Sequence, residues 1–492
     1  MICRSFSRLA AIVLSIAATA IAPASAAQPG GNTHARVGPR LAEALLHPIP
    51  AEGIAIRVTL KRNDLAPPGL ARRASIHARQ NRALGTLLPG SFQMTYRYES
   101  LSGFAGRANA GAIYALLRHP EVTAIHLDYE IHATLTQGVA LIHADLVHSA
   151  GLSGLGVNVA LIDSGVDTDH PDLADDLIAE QCFCNNHPAP NRGCCPAGGQ
   201  QQSGPGSAED DNGHGTQTAG IVTSGGVVAA PGVAPDAGIV AIKVLSASGT
   251  GASSSTDAAF DWLVTNHLAL GVRVVNVSLG DSGEYNDPLA SPCSGTPSAN
   301  AVSLLHAAGV VVFAASGNDG FDNGISEPAC IPEVISVGGV YDASVGNISW
   351  CGNNSCSTIL CTDTTGADVF VCHSNSDEIL DLLAPDWRTA SPALGGGVAF
   401  FGGTSASSPY AAGQAALLLE DDPTLQPDEI RNLLVTNGPL VTNPDSGLSF
   451  PRSDVGAALG LPEPSGTLML LSGATFLAAI VRGRRAPQHP HP

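Results

Sequence analysis

Aromatic residues make up only 4% of the 492-residue chain, and charged residues only 13%. Basic residues are scarcer than acidic ones: 23 Lys and Arg stand against 43 Asp and Glu, a net charge of −20. That excess argues against a nucleic-acid partner, because phosphate contact is made by Lys and Arg. The apolar runs near the two ends, Leu9–Ile21 and Gly466–Val481, are both shorter than the roughly 20 residues that span a bilayer comfortably. Glycine (55) and proline (34) are plentiful. The composition suits a loop-rich globular α/β protein and not a disordered chain.

Arg4 and Arg8 precede the first apolar run, and Ala24-Ser25-Ala26 follows it. A basic region, an apolar region and a small-residue cleavage site predict a secretory signal over residues 1–27. Export gives the cysteines a meaning. Of 11, Cys3 leaves with the signal, so 11 − 1 = 10 remain, an even number in an oxidising compartment. They fall as Cys182, Cys184, Cys194 and Cys195, then Cys293 and Cys330, then Cys351, Cys356, Cys361 and Cys372. Disulfides are expected. A zinc site in the first cluster is the alternative, and the adjacent Cys194-Cys195 pair is poor chelate spacing for it.

Charge divides the chain. Residues 28–136 hold 12 basic and 7 acidic residues, 12 − 7 = +5, and residues 137–461 hold 6 and 35, 6 − 35 = −29. The basic part is expected to dock on the acidic part. A Gly/Pro-rich linker is expected over 28–52. "GIAIRVTLKRN" then alternates like a strand, and "GAIYALLRHPEVTAIHLDYEI" reads as a helix stopped near Pro120 followed by a strand. Residues 53–135 thus form a small α+β unit. Beyond it, "GVNVALIDSGV", "GIVAIKVL", "RVVNVSL", "GVVVFAAS" and "EVISVGGV" are short apolar runs. Helical patterns such as Ser254–Leu270 and Ser298–Ala308 alternate with them. This predicts a mainly parallel sheet covered by helices on both faces over residues 137–461. Ligands bind such sheets beyond the carboxyl ends of the strands.

Three stretches carry chemistry: "ALIDSGVDTDHPDL", "DDNGHGTQTAG" and "FGGTSASSP". A serine hydroxyl needs a base to become a nucleophile; histidine supplies it, and a carboxylate orients the histidine. Asp163, His214 and Ser405 offer those groups in the chain order Asp, His, Ser, an order given for subtilisin. Singly, each has an ordinary reading: a strand-end turn, a loop histidine, a helix cap. Together they resemble the subtilisin-like serine proteases, the subtilases. Asp163-Ser164-Gly165-Val166 matches that family's aspartate motif. His214 to Gly220 matches the histidine motif, and Gly403 to Pro409 the serine motif.

The resemblance implies a serine endopeptidase and adds further residues. Asn318, in "AASGND", would donate to the oxyanion. Ser278, Leu279 and Gly280 would pair with a peptide substrate, and Ala314, Ala315 and Ser316 would form the other wall of the pocket for the residue before the cut. Ser326 would lie near its floor with Glu327 beside it. Gln217, Ala406 and Ser407 depart from the family's usual residues. No cofactor is required for the chemistry and no metal ligand is assigned. Thr223–Pro235 lacks the amide and carboxylate side chains of the family's tight calcium loop, so structural calcium stays possible but unassigned.

Residues 53–135 resemble the family's inhibitory propeptide, which would be cut off near Leu135–Gln137 by the enzyme itself. Residues 462–492, with Pro462-Glu463-Pro464, an apolar run and Arg482, Arg484 and Arg485, resemble a PEP-CTERM sorting segment. That resemblance implies an exosortase-like processing partner, membrane contact through the segment, and export to the surface or medium of a Gram-negative bacterium. A non-catalytic adhesion protein on a degenerate protease fold is the rival reading.

Overall fold

The computed structural model describes residues 35–461 apart from 47–48, 51–52, 62–69, 129, 134–137, 186–192, 345 and 352–357. The expected leader and the Pro-Glu-Pro tail lie outside the described residues.

The first unit is a five-stranded sheet of β1 (Arg36–Val37), β2 (Ile54–Leu60), β3 (Phe92–Arg97), β4 (Gly103–Ala108) and β5 (Val122–Leu127) in the order β1-β5-β2-β4-β3. It carries helices α1 (Pro39–Ala44), α2 (Leu70–Leu84) and α3 (Ala110–Leu117). Asn109 caps α3 by accepting the Ala112 N–H. Leu41, Ile56, Val58, Phe104, Leu116 and Ile125 form its core. The unit starts earlier than the sequence suggests. Residues 36–44, expected to be linker, add β1 in parallel to β5 and bury Leu41 completely. Burying one such side chain contributes roughly 1.5–3 kcal/mol, which adds to the strand pairing in offsetting the cost of ordering the segment.

The second unit holds an eight-stranded sheet. Its strands are β7 (Asn158–Asp163), β8 (Leu177–Phe183), β9 (Gln201–Ser203), β10 (Gly238–Lys243), β12 (Val272–Val277), β14 (Val311–Ala315), β15 (Val334–Val340) and β18 (Leu382–Pro385), ordered β18-β15-β14-β12-β7-β10-β8-β9. All pairs are parallel except β8–β9. Side chains alternate between faces with period two. Val159, Leu161, Ile239 and Ala241 enter one core with α5 (His214–Thr223) and α8 (Thr404–Asp421). Ala160, Ile162, Val240 and Ile242 enter the other with α6 (Ser253–Asn266) and α7 (Pro297–Ala307). Helices therefore cover both faces, as the unbroken apolar runs predict. Tyr96, Tyr98 and Leu101 of the first unit belong to the α6–α7 core, so the first unit is seated on those helices.

One strand leaves the first unit for the second. β6 (Glu130–Ala133) lies antiparallel between β11 (Thr250–Ala252) and β13 (Leu279–Gly280). Outside the main sheet are the hairpins β16 (Asn347–Cys351) with β17 (Ile359–Thr364), and β19 (Thr389–Ala393) with β20 (Gly397–Phe401). Disulfides join Cys182 to Cys195, Cys184 to Cys194, Cys293 to Cys330 and Cys361 to Cys372, and Cys351 is also disulfide-bonded. The first cluster is thus two crossbridges, which leaves no thiolate for zinc. No helix among the described residues is long and apolar enough to cross a membrane.

Candidate active site

Asp163 is the last residue of β7, at the carboxyl end of a central strand. Ser278 follows the end of β12, and Asn318 lies just past β14 at the same edge. His214 opens α5. A Cβ at Gly215 would stand 2.0 Å from the Gly165 carbonyl oxygen, so glycine is what lets α5 settle on the Asp163 turn. Ser405 is the second residue of α8, after Gly403 at φ 123°, ψ 169°, a conformation open essentially to glycine alone. The glycines of two motifs are thereby explained by backbone geometry.

Asp163, His214 and Ser405 are all buried. Asp163 Oδ1 lies 2.6 Å from His214 Nδ1 and accepts the Ser164 N–H at 2.7 Å, and Oδ2 accepts the Thr218 hydroxyl at 3.3 Å. The Phe401 ring packs 5.3 Å from the imidazole. The Ser405 hydroxyl donates to the Ser278 carbonyl at 2.8 Å, and the Ser278 hydroxyl donates to the Ser405 carbonyl at 2.5 Å. Asn318 Oδ1 accepts the Thr404 N–H at 2.8 Å, which ties this amide to the Ser405 turn.

Leu279 and Gly280 form β13, paired with Ala133 and His132 of β6. Ala314, Ala315 and Ser316 are buried at the end of β14. The Ser316 carbonyl accepts the Ser326 N–H at 2.9 Å, and a Cβ at Gly280 would be 3.2 Å from that of Ser326. Ser326 therefore sits between the two expected walls. Glu327 does not line that gap with its carboxylate. It reaches Arg57 Nη2 of the first unit at 3.4 Å.

Supporting residues went unread in the sequence. Asp210 accepts the N–H groups of Asn212, Gly213 and Thr216 and the hydroxyls of Ser164 and Thr216. Burial alone would raise its carboxyl, but these bonds, Thr216 foremost, hold it below the ordinary range. Buried Lys243 donates to the Ser164 carbonyl at 2.5 Å and to Asp211 at 2.6 Å. It joins the Asp163 turn to the segment leading into His214. Asp210 stood inside the quoted histidine motif, and Lys243 was a lone charge in an apolar strand; both were available signals.

Residues 154–454 match the Subtilase family. The chain belongs to this family. It is 28% identical over 361 residues to Subtilisin E of Bacillus subtilis, covering 72% of this chain and 79% of that protein. It is 30% identical over 347 residues to an alkaline protease of Alkalihalobacillus alcalophilus, covering 70% and 75%. Against Subtilisin DY of Bacillus licheniformis the figure is 32% over 305 residues, 61% and 90%. This subtilase is a subtilisin-like serine endopeptidase.

The family's calcium loop does not fit the residues of this subtilase. Asp172 is fully buried, and its carboxylate accepts the N–H groups of Val227, Val228 and Ala229. A carboxylate ringed by donors already has its charge answered, and the N–H groups would repel a cation. No group of three or more His, Cys, Asp or Glu among the described residues is placed to hold a metal. Asp172→Ala should strand these three N–H groups and lower the calorimetric midpoint by about 5 °C. A chelator should leave the wild-type midpoint in place; a fall of similar size on chelation would show a metal at work.

Proposed function

We propose that Ser405 is the nucleophile, His214 the general base and then acid, and Asp163 the carboxylate that orients His214. Asn318 and the Ser405 N–H, at the start of α8, would hold the oxyanion. The observation that carries this reading is the convergence of three distant motifs at one strand edge, with β6 already laid between β11 and β13. A peptide substrate would take the place of β6 as an added strand. Ser405 would attack the carbonyl and pass its proton to His214, which returns it to the leaving amine; water would then hydrolyse the acyl-enzyme. A fluorophosphonate probe should label the processed protein at Ser405. Absence of labelling at Ser405 in folded, processed protein would favour the adhesion reading.

With the small Ser326 between the walls, cleavage should follow Leu, Phe, Met or Tyr; Glu327, which loses Arg57 when the first unit leaves, would favour Lys or Arg only by turning inward. A peptide library read by mass spectrometry checks this, and dominant cleavage after Lys or Arg would overturn it.

The first unit is read as an inhibitory propeptide, cut near Leu135–Gln137, which lie outside the described residues. The docking is not the row of ion pairs that the charge contrast suggests. Several of the unit's arginines are used internally: Arg73 pairs with Glu99, and Arg79 and Arg82 with Glu121. Among the described residues, Arg57 is the one Lys or Arg placed on acids across the interface, Asp257 and Glu327, both at 3.4 Å. Burial opposes that charge, but Asp257 and Glu327 outweigh it and keep the guanidinium protonated. Elsewhere, carboxylates accept donors: Asp261 takes the N–H groups of Glu99, Ser100 and Leu101, each at 2.7 Å. Arg57→Met in the full chain should loosen the hold roughly 100-fold, since breaking a buried pair strands its partner. The lag between processing and full activity should shorten accordingly. Added salt should change that lag little, because buried charges are poorly screened.

The leader and the Pro-Glu-Pro tail support export and a sorting step at the C-terminus, with an exosortase-like partner.

A further inference from the structure

We propose that the N-terminus of α6 is a distal subsite of the substrate cleft that takes an acidic side chain. It would recognise an Asp or Glu two residues upstream of the stretch paired with β11. The inference rests on the protease reading above. α6 continues directly from β11, and Glu130 of β6 pairs with Ala252, the last residue of β11. Residues upstream of such a strand therefore run past the start of the helix.

This helix end has no acceptor of its own. Its N-cap is Ala252, without a side-chain cap, and its first turn has no acidic residue. Ser253, Ser254 and Ser255 are all buried there. The acceptor comes from another element. Asp128, 2% exposed, accepts the Ser253 hydroxyl at 2.8 Å, the Ser254 N–H at 2.6 Å and the Ser254 hydroxyl. A carboxylate is thus already seated on these donors. When the propeptide leaves, the donors lose it, and an incoming Asp or Glu restores both the hydrogen bonds and the charge favoured at a helix N-terminus. Asp257, further along the same helix, opposes a second negative charge. In the precursor Arg57 offsets it; in the released enzyme that guanidinium is gone, so the gain is moderate.

The test uses enzyme recovered after processing of the full chain and two synthetic peptides spanning residues 124–143. One has the native sequence and the other carries Asp128→Asn. The native peptide should show kcat/KM about fivefold higher. Ser253→Ala and Ser254→Ala enzymes each delete one hydroxyl donor and keep the backbone N–H of residue 254, so each should narrow that ratio in part and the double variant should narrow it further. Asp257→Asn should widen it. Equal cleavage of the two peptides, or a ratio indifferent to both serine variants, would overturn the subsite and leave the protease reading standing. Cleavage of neither peptide would overturn the protease reading, and the subsite with it.

Discussion

Ser405→Ala is expected to yield a single uncut precursor without measurable peptidase activity. The hydroxyl it removes is the one hydrogen-bonded to Ser278 at the edge of the strand that pairs with β6. For subtilisin, losing the equivalent serine costs about 2 × 10⁶ in kcat, and a comparable loss is expected here. The alanine variant should still fold, because the change deletes one buried oxygen and leaves α8 and its Gly403 turn intact. Expression in a host lacking other extracellular proteases, followed by intact mass, checks it. Maturation of this variant at the normal junction would defeat self-processing. Normal hydrolysis of an added peptide would defeat the assignment of the nucleophile.

Asp163→Asn should lower kcat by roughly 10⁴, the loss seen when a triad aspartate becomes an amide, with KM little changed. Asparagine fits the same space and still accepts at one atom. It carries no charge, however, to stabilise the imidazolium, and its NH₂ group offers a donor where His214 Nδ1–H needs an acceptor. The 2.6 Å contact between Asp163 Oδ1 and His214 Nδ1 would then favour the wrong tautomer. Steady-state kinetics on one peptide suffice. A variant within tenfold of wild type would show that His214 takes its orientation from elsewhere.

Much of the fold was legible because its causes are local. Strands buried on both faces read as unbroken apolar runs, and β7, β10, β12, β14 and β15 all fell where such runs lie. α3 stopped ahead of Pro120 as expected. The triad candidates were legible because each sits on a turn that only glycine permits, and those turns leave a mark in the sequence. The start of the first unit was missed because β1 is two residues long. A strand that short has no periodicity, and only its pairing with β5 defines it.

By itself, the sequence determined the sheet and helix pattern, the glycine-bound motifs of Asp163, His214 and Ser405, and the split in charge between two units. Tertiary structure alone decided what each charge does. Glu327 turns from the expected pocket to Arg57, although they are 270 residues apart. Asp172 holds the backbone donors of Val227, Val228 and Ala229, 55 to 57 positions away, and Asp128 caps a helix 126 positions away. Cys182 and Cys184 each choose between near-equivalent partners. These outcomes depend on which groups long-range packing brings within a few ångströms, because hydrogen bonds and ion pairs act only at that distance. Local spacing along the chain holds no record of it.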